Sequence, residues 1–174
     1  MKMVTDILDE LSWLACEAML PGGFTRAGDG AEEPEGGLVS VIGFSGDRVR
    51  GVLGVTAPPE AIAATHPLAG TEPALRDEQL YDWVAELANQ LLGRIKGGLM
   101  DYGVTLWLAS PVVLRGVSVR IVPRPEEGVK KFSLRGRAGD LCVWVDFQFD
   151  EALELERVPD HARDHCVAGE MLLF

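Results

Sequence analysis

The sequence predicts an α+β domain, with helices packed on a largely antiparallel β-sheet. Three observations support this class. Apolar residues recur with helical spacing at the start of the chain and again near its middle. Two pairs of β-rich segments flank short turns, which is typical of β-hairpins. The elements follow the order helix, hairpin, helix, helix and several strands, rather than a regular alternation of strands and helices.

Three helices are predicted in chain order. Residues 3–20 show an amphipathic pattern, and the "PGG" at residues 21–23 ends it. Two adjacent prolines at 58 and 59 open a short helix that ends near His66. A longer helix is predicted over roughly residues 74–100, directly after a proline.

The strands are predicted from β-rich runs and the turns between them. A polar, glycine-rich loop at residues 27–37 precedes a hairpin at residues 38–57 that turns at "SGD". The runs "VTLWLA", "SPVVLRG" and "VSVRIV" follow the long helix, and "KKFSLRGRA" and "LCVWVDFQF" form a second hairpin. Residues 1–150 are predicted to form one domain, and residues 151–174 a C-terminal extension to which the pattern assigns no structure.

The composition argues against several classes of function. The 174 residues carry a net charge of −11, so neither nucleic acid nor an anionic membrane is an expected partner. No run of about 18 apolar residues exists, so no transmembrane helix is expected. The three cysteines stand far apart and form no C-x-x-C motif. Free, mostly buried thiols in the cytoplasm are therefore expected.

The stretch "DWVAELANQLLGRIKGG", residues 82–98, has an unusual polar face. At about 100° per residue, its apolar positions form one stripe that faces the core. A second stripe lies nearly opposite and should point outward: Asp82, Glu86, Asn89 and Gly93, spaced i, i+4, i+7 and i+11. The core stripe consists of Val84, Leu87, Ala88, Leu91, Ile95 and Leu99.

Gly93 is the informative residue of the outward stripe, because glycine inside a helix costs about 1 kcal/mol relative to alanine. One interpretation is that it lets another surface approach the helix backbone closely. The other is that Gly93 merely loosens the helix end together with Gly97 and Gly98. The pattern alone leaves both open.

The outward Glu86 and Asn89 suit some kinds of chemistry better than others. Asp82 and Glu86 alone are too few ligands for a metal site, and no Ser/His or Cys/His arrangement lies nearby for nucleophilic catalysis. A carboxamide both donates and accepts hydrogen bonds, so it can orient a water molecule. Phosphoryl transfer needs mainly positioning and electrostatics. A glutamate one turn away can pair with a cation on a partner.

The same stretch, followed by "SPVVLRG", resembles the CheC/CheX/FliY phosphatases of bacterial chemotaxis. The motif of that family is Asp or Ser, three residues, Glu, two residues, Asn, and a Pro about 22 positions further on. Asp82, Glu86, Asn89 and Pro111 fit it, and Gly93 and Lys96 match the family's Asn-x3-Gly-x2-Lys continuation. The likeness covers roughly residues 4–149.

The resemblance implies a fold, a reaction and a partner. Two long antiparallel helices would pack on one side of the sheet. The substrate would be a phosphorylated CheY-type response regulator, with Glu86 pairing with its lysine and Asn89 orienting the attacking water. Asp82, Gly93 and Lys96 would contact the partner, and Pro111 would shape a turn. No cofactor and no metal would be bound by this chain, since the response regulator supplies the divalent metal.

The resemblance is closest to the single-site CheX branch, whose members form homodimers. Some relatives carry the motif on both long helices, but here Glu10 is followed three residues later by Trp13, and Glu17 by Leu20. A homodimer is therefore expected, assisted by apolar edge segments such as "LCVWV". The alternative to an enzyme is a non-catalytic receiver-binding module in a signalling or flagellar complex.

Two further features have competing interpretations. His161, His165 and Cys166 have the spacing of zinc ligands on a helix, but no fourth ligand is evident and a solvated tail is the simpler interpretation. Trp83, beside the motif, is interpreted as a core residue, with partner contact as the alternative.

Overall fold

A computed structural model of the chain describes residues 3–20, 24–27, 37–70, 75–117, 119, 129–150 and 152–158. Within these ranges the chain forms three helices and seven strands. Their order is α1 (Val4–Met19), β1 (Thr25–Arg26), β2 (Leu38–Ser45), β3 (Val49–Ala57), α2 (Pro59–Thr65), α3 (Asp77–Met100), β4 (Trp107–Leu108), β5 (Val112–Arg115), β6 (Val129–Arg135) and β7 (Leu141–Phe149).

The strands form one antiparallel sheet with the order β1-β6-β7-β3-β2-β4, and β5 pairs with β2 beside β4. Both predicted hairpins, β2–β3 and β6–β7, are confirmed. The first hairpin turns at Gly46, whose N–H donates to the Val49 carbonyl at 2.7 Å. The α+β class is thus confirmed, and the two-residue strand β1 is an element that the sequence pattern did not predict.

The predicted strands after the long helix are shorter in the structure. The run "VTLWLA" contributes only β4, and "SPVVLRG" contributes only β5. Ala109 still donates its N–H to the Gly43 carbonyl at 2.9 Å, but Pro111 has no N–H to continue the ladder. β4 and β5 therefore flank a break along one side of β2. The run "VSVRIV" lies largely outside the described residues.

The prediction that "LCVWV" is an edge segment is wrong. These residues belong to β7, which lies between β6 and β3, and all five are buried. A continuous apolar run is typical of a strand buried on both faces, and this is why the run is apolar. One edge of the sheet is formed by β1 and the other by β4 and β5. In β4 and β5 the side chains of Trp107, Val112 and Leu114 are exposed.

The two long helices, α1 and α3, pack antiparallel on one side of the sheet and contact each other closely, as expected. A Cβ atom placed on Gly98 of α3 would lie 2.5 Å from Cδ2 of Leu11 on α1. Their buried residues join the inward side chains of β2, β3, β6 and β7 in one core. No helix within the described ranges has the length and apolar character needed to cross a membrane.

The long helix begins at Asp77, three residues later than predicted. The reason is local: Arg76 has extended backbone angles, and its N–H donates to Oε1 of Gln79 at 3.0 Å. A side chain three residues on thus satisfies an N–H at the helix start, as in a capping box.

The start of the predicted C-terminal extension packs against the body of the domain. Leu153 and Leu155 are buried in the core, and the Val158 N–H donates to the Asp101 carbonyl at the end of α3 at 2.8 Å. The division at residue 150 stays a prediction. The proposed zinc ligands His161, His165 and Cys166 lie outside the described residues, as does most of the loop at residues 27–37.

Candidate functional site

The outward stripe of α3 has the predicted orientation. Asp82, Glu86, Asn89 and Gly93 are all exposed, whereas the six residues of the predicted core stripe are at most 1% exposed. The motif thus lies on the convex surface of a helix that the core anchors from behind. Such a surface can be approached by another macromolecule.

The Glu86 carboxylate has a partner that the sequence analysis missed. Nε2 of Gln90 donates a hydrogen bond to Oε1 of Glu86 at 2.5 Å. The i, i+4 spacing of the two residues was the available signal, because side chains one turn apart on a helix meet. The contact restrains the carboxylate of Glu86 on the face of the helix that also carries Asn89.

Asn89 presents its carboxamide to solvent. Among the described residues no hydrogen bond to this side chain is found, so its donor and acceptor atoms are both available. It is also the one asparagine of the whole chain. The site therefore pairs a carboxylate held by a neighbour with an amide that has no partner within the described part of the chain.

The three glycines at the end of α3 have different surroundings. A Cβ on Gly93 or Gly97 would meet no atom within 4 Å, whereas one on Gly98 would collide with Leu11. Packing thus explains Gly98 but not Gly93. The helix continues through all three to Met100, so Gly93 does not end it, and of the two interpretations the open surface fits better.

Side-chain contacts join β5, the strand that follows Pro111, to the first turns of α3. Arg115 of β5 donates to the Asp77 carboxylate and the Tyr81 hydroxyl on the first turns of α3. These hydrogen bonds raise the pKa of Arg115 above its usual value. With the ideal rise of a helix, Asn89 lies about 12 Å along α3 from Tyr81. With the ideal rise of a strand, Pro111 lies about 13 Å along the chain from Arg115.

The directions of α3 and β5 can be compared along β2. Arg115 pairs with Leu38 at the start of β2. The chain leaving α3 leads to Trp107, which pairs with Ser45 at the end of β2. Both α3 and the reverse path along β5 therefore run from the start of β2 towards its end.

Within α3, both bases lie on the C-terminal side of Asn89. Asp77, Glu78, Asp82 and Glu86 occupy the first half of α3, whereas Arg94 is exposed and Lys96 half-buried in the second half. Lys96 lies on the same side of the helix as Asn89, two turns later. At the start of the helix Arg115 pairs with Asp77 and Arg76 with Glu78, so part of the negative charge there is compensated.

Trp83 is held within the chain. Its Nε1 donates to Oγ1 of Thr65 at 2.8 Å, and its ring lies edge-on to His66 with the ring centroids 5.1 Å apart. Thr65 and His66 end α2, and His66 is its C-terminal cap. Trp83 therefore anchors α2 to the motif helix, which agrees with its interpretation as a core residue.

The described residues show no alternative site at the motif. No group of three or more His, Cys, Asp or Glu side chains able to hold a metal occurs among them. Two surface cavities of the described chain lie elsewhere, one beside the β2–β3 turn and one beside Trp107. Neither of these two cavities is lined by a motif residue.

The fold and the exposed Glu–Asn stripe together define a protein of the CheC, CheX and FliY class. The family model described as chemotaxis phosphatase CheX matches residues 38–134, more than half of the chain. The chain therefore belongs to the CheX family, as its sequence motif predicted. The matched range includes every motif residue from Asp82 to Pro111. No curated protein sequence matches the chain.

Solved structures with a similar fold are chemotaxis proteins. CheX from Vibrio vulnificus superposes with a TM-score of 0.64 at 20% identity, over 82% of this chain and 95% of that one. A CheC-like protein from Shewanella oneidensis MR-1 gives 0.66 at 19% identity, over 82% and 96%. CheX in a complex with CheY, BeF3 and Mg from Borrelia burgdorferi gives 0.58 at 15% identity, over 82% and 96%. At these identities the likeness shows the fold alone.

Proposed function

We propose that this chain is a phosphatase that hydrolyses the aspartyl phosphate of a CheY-type response regulator. The observation that carries the proposal is the exposed pair Glu86 and Asn89 on a convex helix, beside the open surface at Gly93. Membership of the CheX family supports it. So does the similarity of the fold to a CheX that has been solved in complex with CheY.

In this proposal Asn89 orients the water that attacks the phosphorus atom. Its carbonyl oxygen accepts a hydrogen bond from the water, and its amide donates to a phosphoryl oxygen. The new bond joins the water oxygen to phosphorus, and the bond between phosphorus and the aspartyl oxygen breaks. Inorganic phosphate leaves with both protons of the water, as dihydrogen phosphate, and the aspartate carboxylate is restored. Positioning supplies most of the rate.

Glu86 fixes the partner in place. Its carboxylate pairs with a lysine ammonium of the receiver domain, so that Asn89 reaches the phosphoryl group in one orientation. Asp82 lies one turn before it and adds to the negative surface, while Gly93 lets the receiver backbone approach. Lys96 faces the acidic phosphorylation pocket of the receiver, which gives the two surfaces complementary charge.

This chain contributes no cofactor to the proposed reaction. The divalent metal belongs to the receiver, where it neutralises charge on the phosphoryl group. The similar CheX complex from Borrelia burgdorferi was solved with Mg and BeF3. The proposed setting is the cytoplasm, which the free, buried thiol of Cys16 supports.

The test measures the phosphate half-life of response regulators from the source organism with and without this chain. The wild type should shorten the half-life of its cognate receiver, and Asn89→Ala should slow turnover about 100-fold or more. Gln148→Ala is the control, since it removes an exposed amide on β7, away from the motif. If the wild type and Asn89→Ala both behave like buffer against every receiver, the catalytic proposal is wrong.

A non-catalytic receiver-binding module is the second candidate. The open surface at Gly93 favours it, because docking requires that space whether or not hydrolysis follows. Titration of the chain with a phosphorylated receiver separates the two functions. Tight binding with an unchanged phosphate half-life would favour the binding module, and a lack of binding to any receiver would reject both candidates.

We also propose that the chain forms a homodimer through the edge formed by β4 and β5. Trp107 and Val112 are each 58% exposed there and Leu114 is 45% exposed. The outer backbone groups of β5 can pair with another strand. Light scattering at micromolar concentration should give twice the monomer mass, and Leu114→Lys should shift it to the monomer. A wild-type monomer at that concentration would contradict this assembly.

A further inference from the structure

We propose that Gln90 is a positioning residue, which holds the Glu86 carboxylate ready for the cation of the partner. The proposal rests on the proposed function of Glu86 and goes beyond it. The observation is the hydrogen bond of 2.5 Å from Nε2 of Gln90 to Oε1 of Glu86 on the exposed face of α3.

The contact restricts a side chain that is otherwise flexible. An exposed glutamate has three rotatable bonds, and ordering it on binding costs free energy. The hydrogen bond from Gln90 already restricts the rotamers that Glu86 can adopt. The receiver then meets a Glu86 that needs less ordering, and this improves affinity without adding a contact.

The contact also leaves Glu86 able to bind a cation. A carboxylate offers about four acceptor positions, and the amide of Gln90 occupies one of them on Oε1. Oε2 therefore remains free for the partner. Because glutamine is neutral, it orients the carboxylate without compensating its charge.

A charged residue at position 90 would act differently. Glu followed by Lys at i, i+4 is a favourable ion pair on a helix. Within one turn of Glu86 on α3 the chain has no base, and Arg94 follows two turns later. The described structure thus keeps the carboxylate uncompensated, as a site for an incoming cation requires.

The hydrogen bond itself can be tested in the isolated chain by NMR. The chain contains one asparagine and three glutamines, so only four side-chain amide pairs need assignment. Glu86→Ala should shift the Gln90 amide signals and leave those of Gln148 unchanged. Unchanged Gln90 signals would overturn the proposal, whatever the chain does to a receiver.

The functional test is a double-mutant cycle with a phosphorylated receiver. Gln90→Leu should raise KM about three- to tenfold with little change in kcat, since it loosens an exposed hydrogen bond to a charged group. In the Glu86→Ala background the same substitution should have no further effect. Gln148→Leu, a matched change of an exposed glutamine, should leave KM at the wild-type value.

Gln90→Lys distinguishes positioning from a merely structural role. Lysine is a good helix former, so the fold should persist, yet its ammonium would compete for Glu86. KM should therefore rise more than in Gln90→Leu. Equal KM values for wild type, Gln90→Leu and Gln90→Lys would overturn the positioning role of Gln90, and so would additive effects in the cycle. The phosphatase proposal would still stand if the wild type turns over the receiver.

If the wild type binds the receiver without hydrolysing it, only the phosphatase proposal fails. The same cycle is then measured on the dissociation constant, with the same expected ratios. If no receiver binds at all, both the phosphatase proposal and the positioning role of Gln90 are wrong.

Discussion

The two long helices of this protein bury one face each, but they differ in what they present outward. On α3, the residue three positions after Glu86 is Asn89, and it is exposed. On α1, the corresponding positions after Glu10 and Glu17 are Trp13, which packs 6.1 Å from the Phe132 ring, and Leu20, which is buried. Position as well as residue type therefore excludes a second site on α1.

The buried stripes also differ. The buried residues of α3 are all aliphatic, whereas those of α1 include Ser12 and Cys16. Ser12 satisfies its hydroxyl by donating to the Leu8 carbonyl at 2.7 Å. Burial raises the pKa of the Cys16 thiol to about 12. α3 thus anchors the motif through a wholly aliphatic buried stripe, whereas α1 buries polar as well as apolar side chains.

The largest expected effect comes from placing the motif amide on α1. Trp13→Asn creates a Glu-x2-Asn sequence there, but it removes the ring that packs on Phe132 and lies 4.8 Å beneath the Arg26 guanidinium. We expect a loss of about 3 kcal/mol in the free energy of unfolding, measured with urea, and no gain in phosphatase rate. Leu14→Asn, at a half-exposed position, should cost less than about 1 kcal/mol. A faster phosphatase rate in Trp13→Asn would show that α1 can carry a second site.

The next effect is a pH dependence specific to α1. Cys16 ionises near 9.0 in the unfolded chain and near 12 in the folded one. Between these values the folded state keeps a proton that the unfolded state has lost, so stability falls as pH rises. The loss should be roughly 2 kcal/mol between pH 9 and 10.5. Urea unfolding of Cys16→Ser should lack this part of the slope, and Leu14→Asn should keep it. Identical slopes in all three proteins would contradict the assignment.

A smaller effect is expected from the charge of the motif. Glu86→Gln keeps the shape of the side chain but removes the negative charge that the receiver lysine would meet, so receiver affinity should fall about tenfold. Glu17→Gln makes the same change on the exposed face of α1 and should alter affinity less than twofold. Isothermal titration measures both. Equal effects would show that general charge, rather than the α3 stripe, attracts the partner.

The smallest expected effect concerns the open surface at Gly93 on α3. Gly93→Ala and Gly97→Ala both add a methyl group where no atom lies within 4 Å. Each should stabilise the free chain by about 0.5–1 kcal/mol. Only Gly93→Ala should also weaken receiver binding, because Gly93 lies one turn from Asn89. If both variants bind the receiver like the wild type, close approach at Gly93 is not needed.

Several features of the fold and the site were predictable from the sequence because they are local. The helical period separated Leu87 and Leu91 from Glu86 and Asn89, and the structure buries the first pair and exposes the second. The hairpins followed from β-rich runs around short turns. The hydrogen bond between Gln90 and Glu86 was also local, and its i, i+4 spacing could have revealed it.

Other features depended on contacts between distant parts of the chain. An apolar run such as "LCVWV" has the same appearance whether its strand lies in the middle of a sheet or at an edge, and only the pairing order decides. β1 has just two residues, too few for any period. Burial of Leu153 and Leu155 required a surface that the rest of the fold creates.

By itself, the sequence determined which face of α3 enters the core, and it identified Glu86 and Asn89 as the outward pair. These properties follow from side-chain periodicity, which is set by backbone geometry within a few residues. Only the tertiary structure decided that β4 and β5 form the exposed edge, and that Gly93 faces open space while Gly98 packs on Leu11. Each depends on where separate elements meet, and packing and strand pairing across long sequence separations determine this.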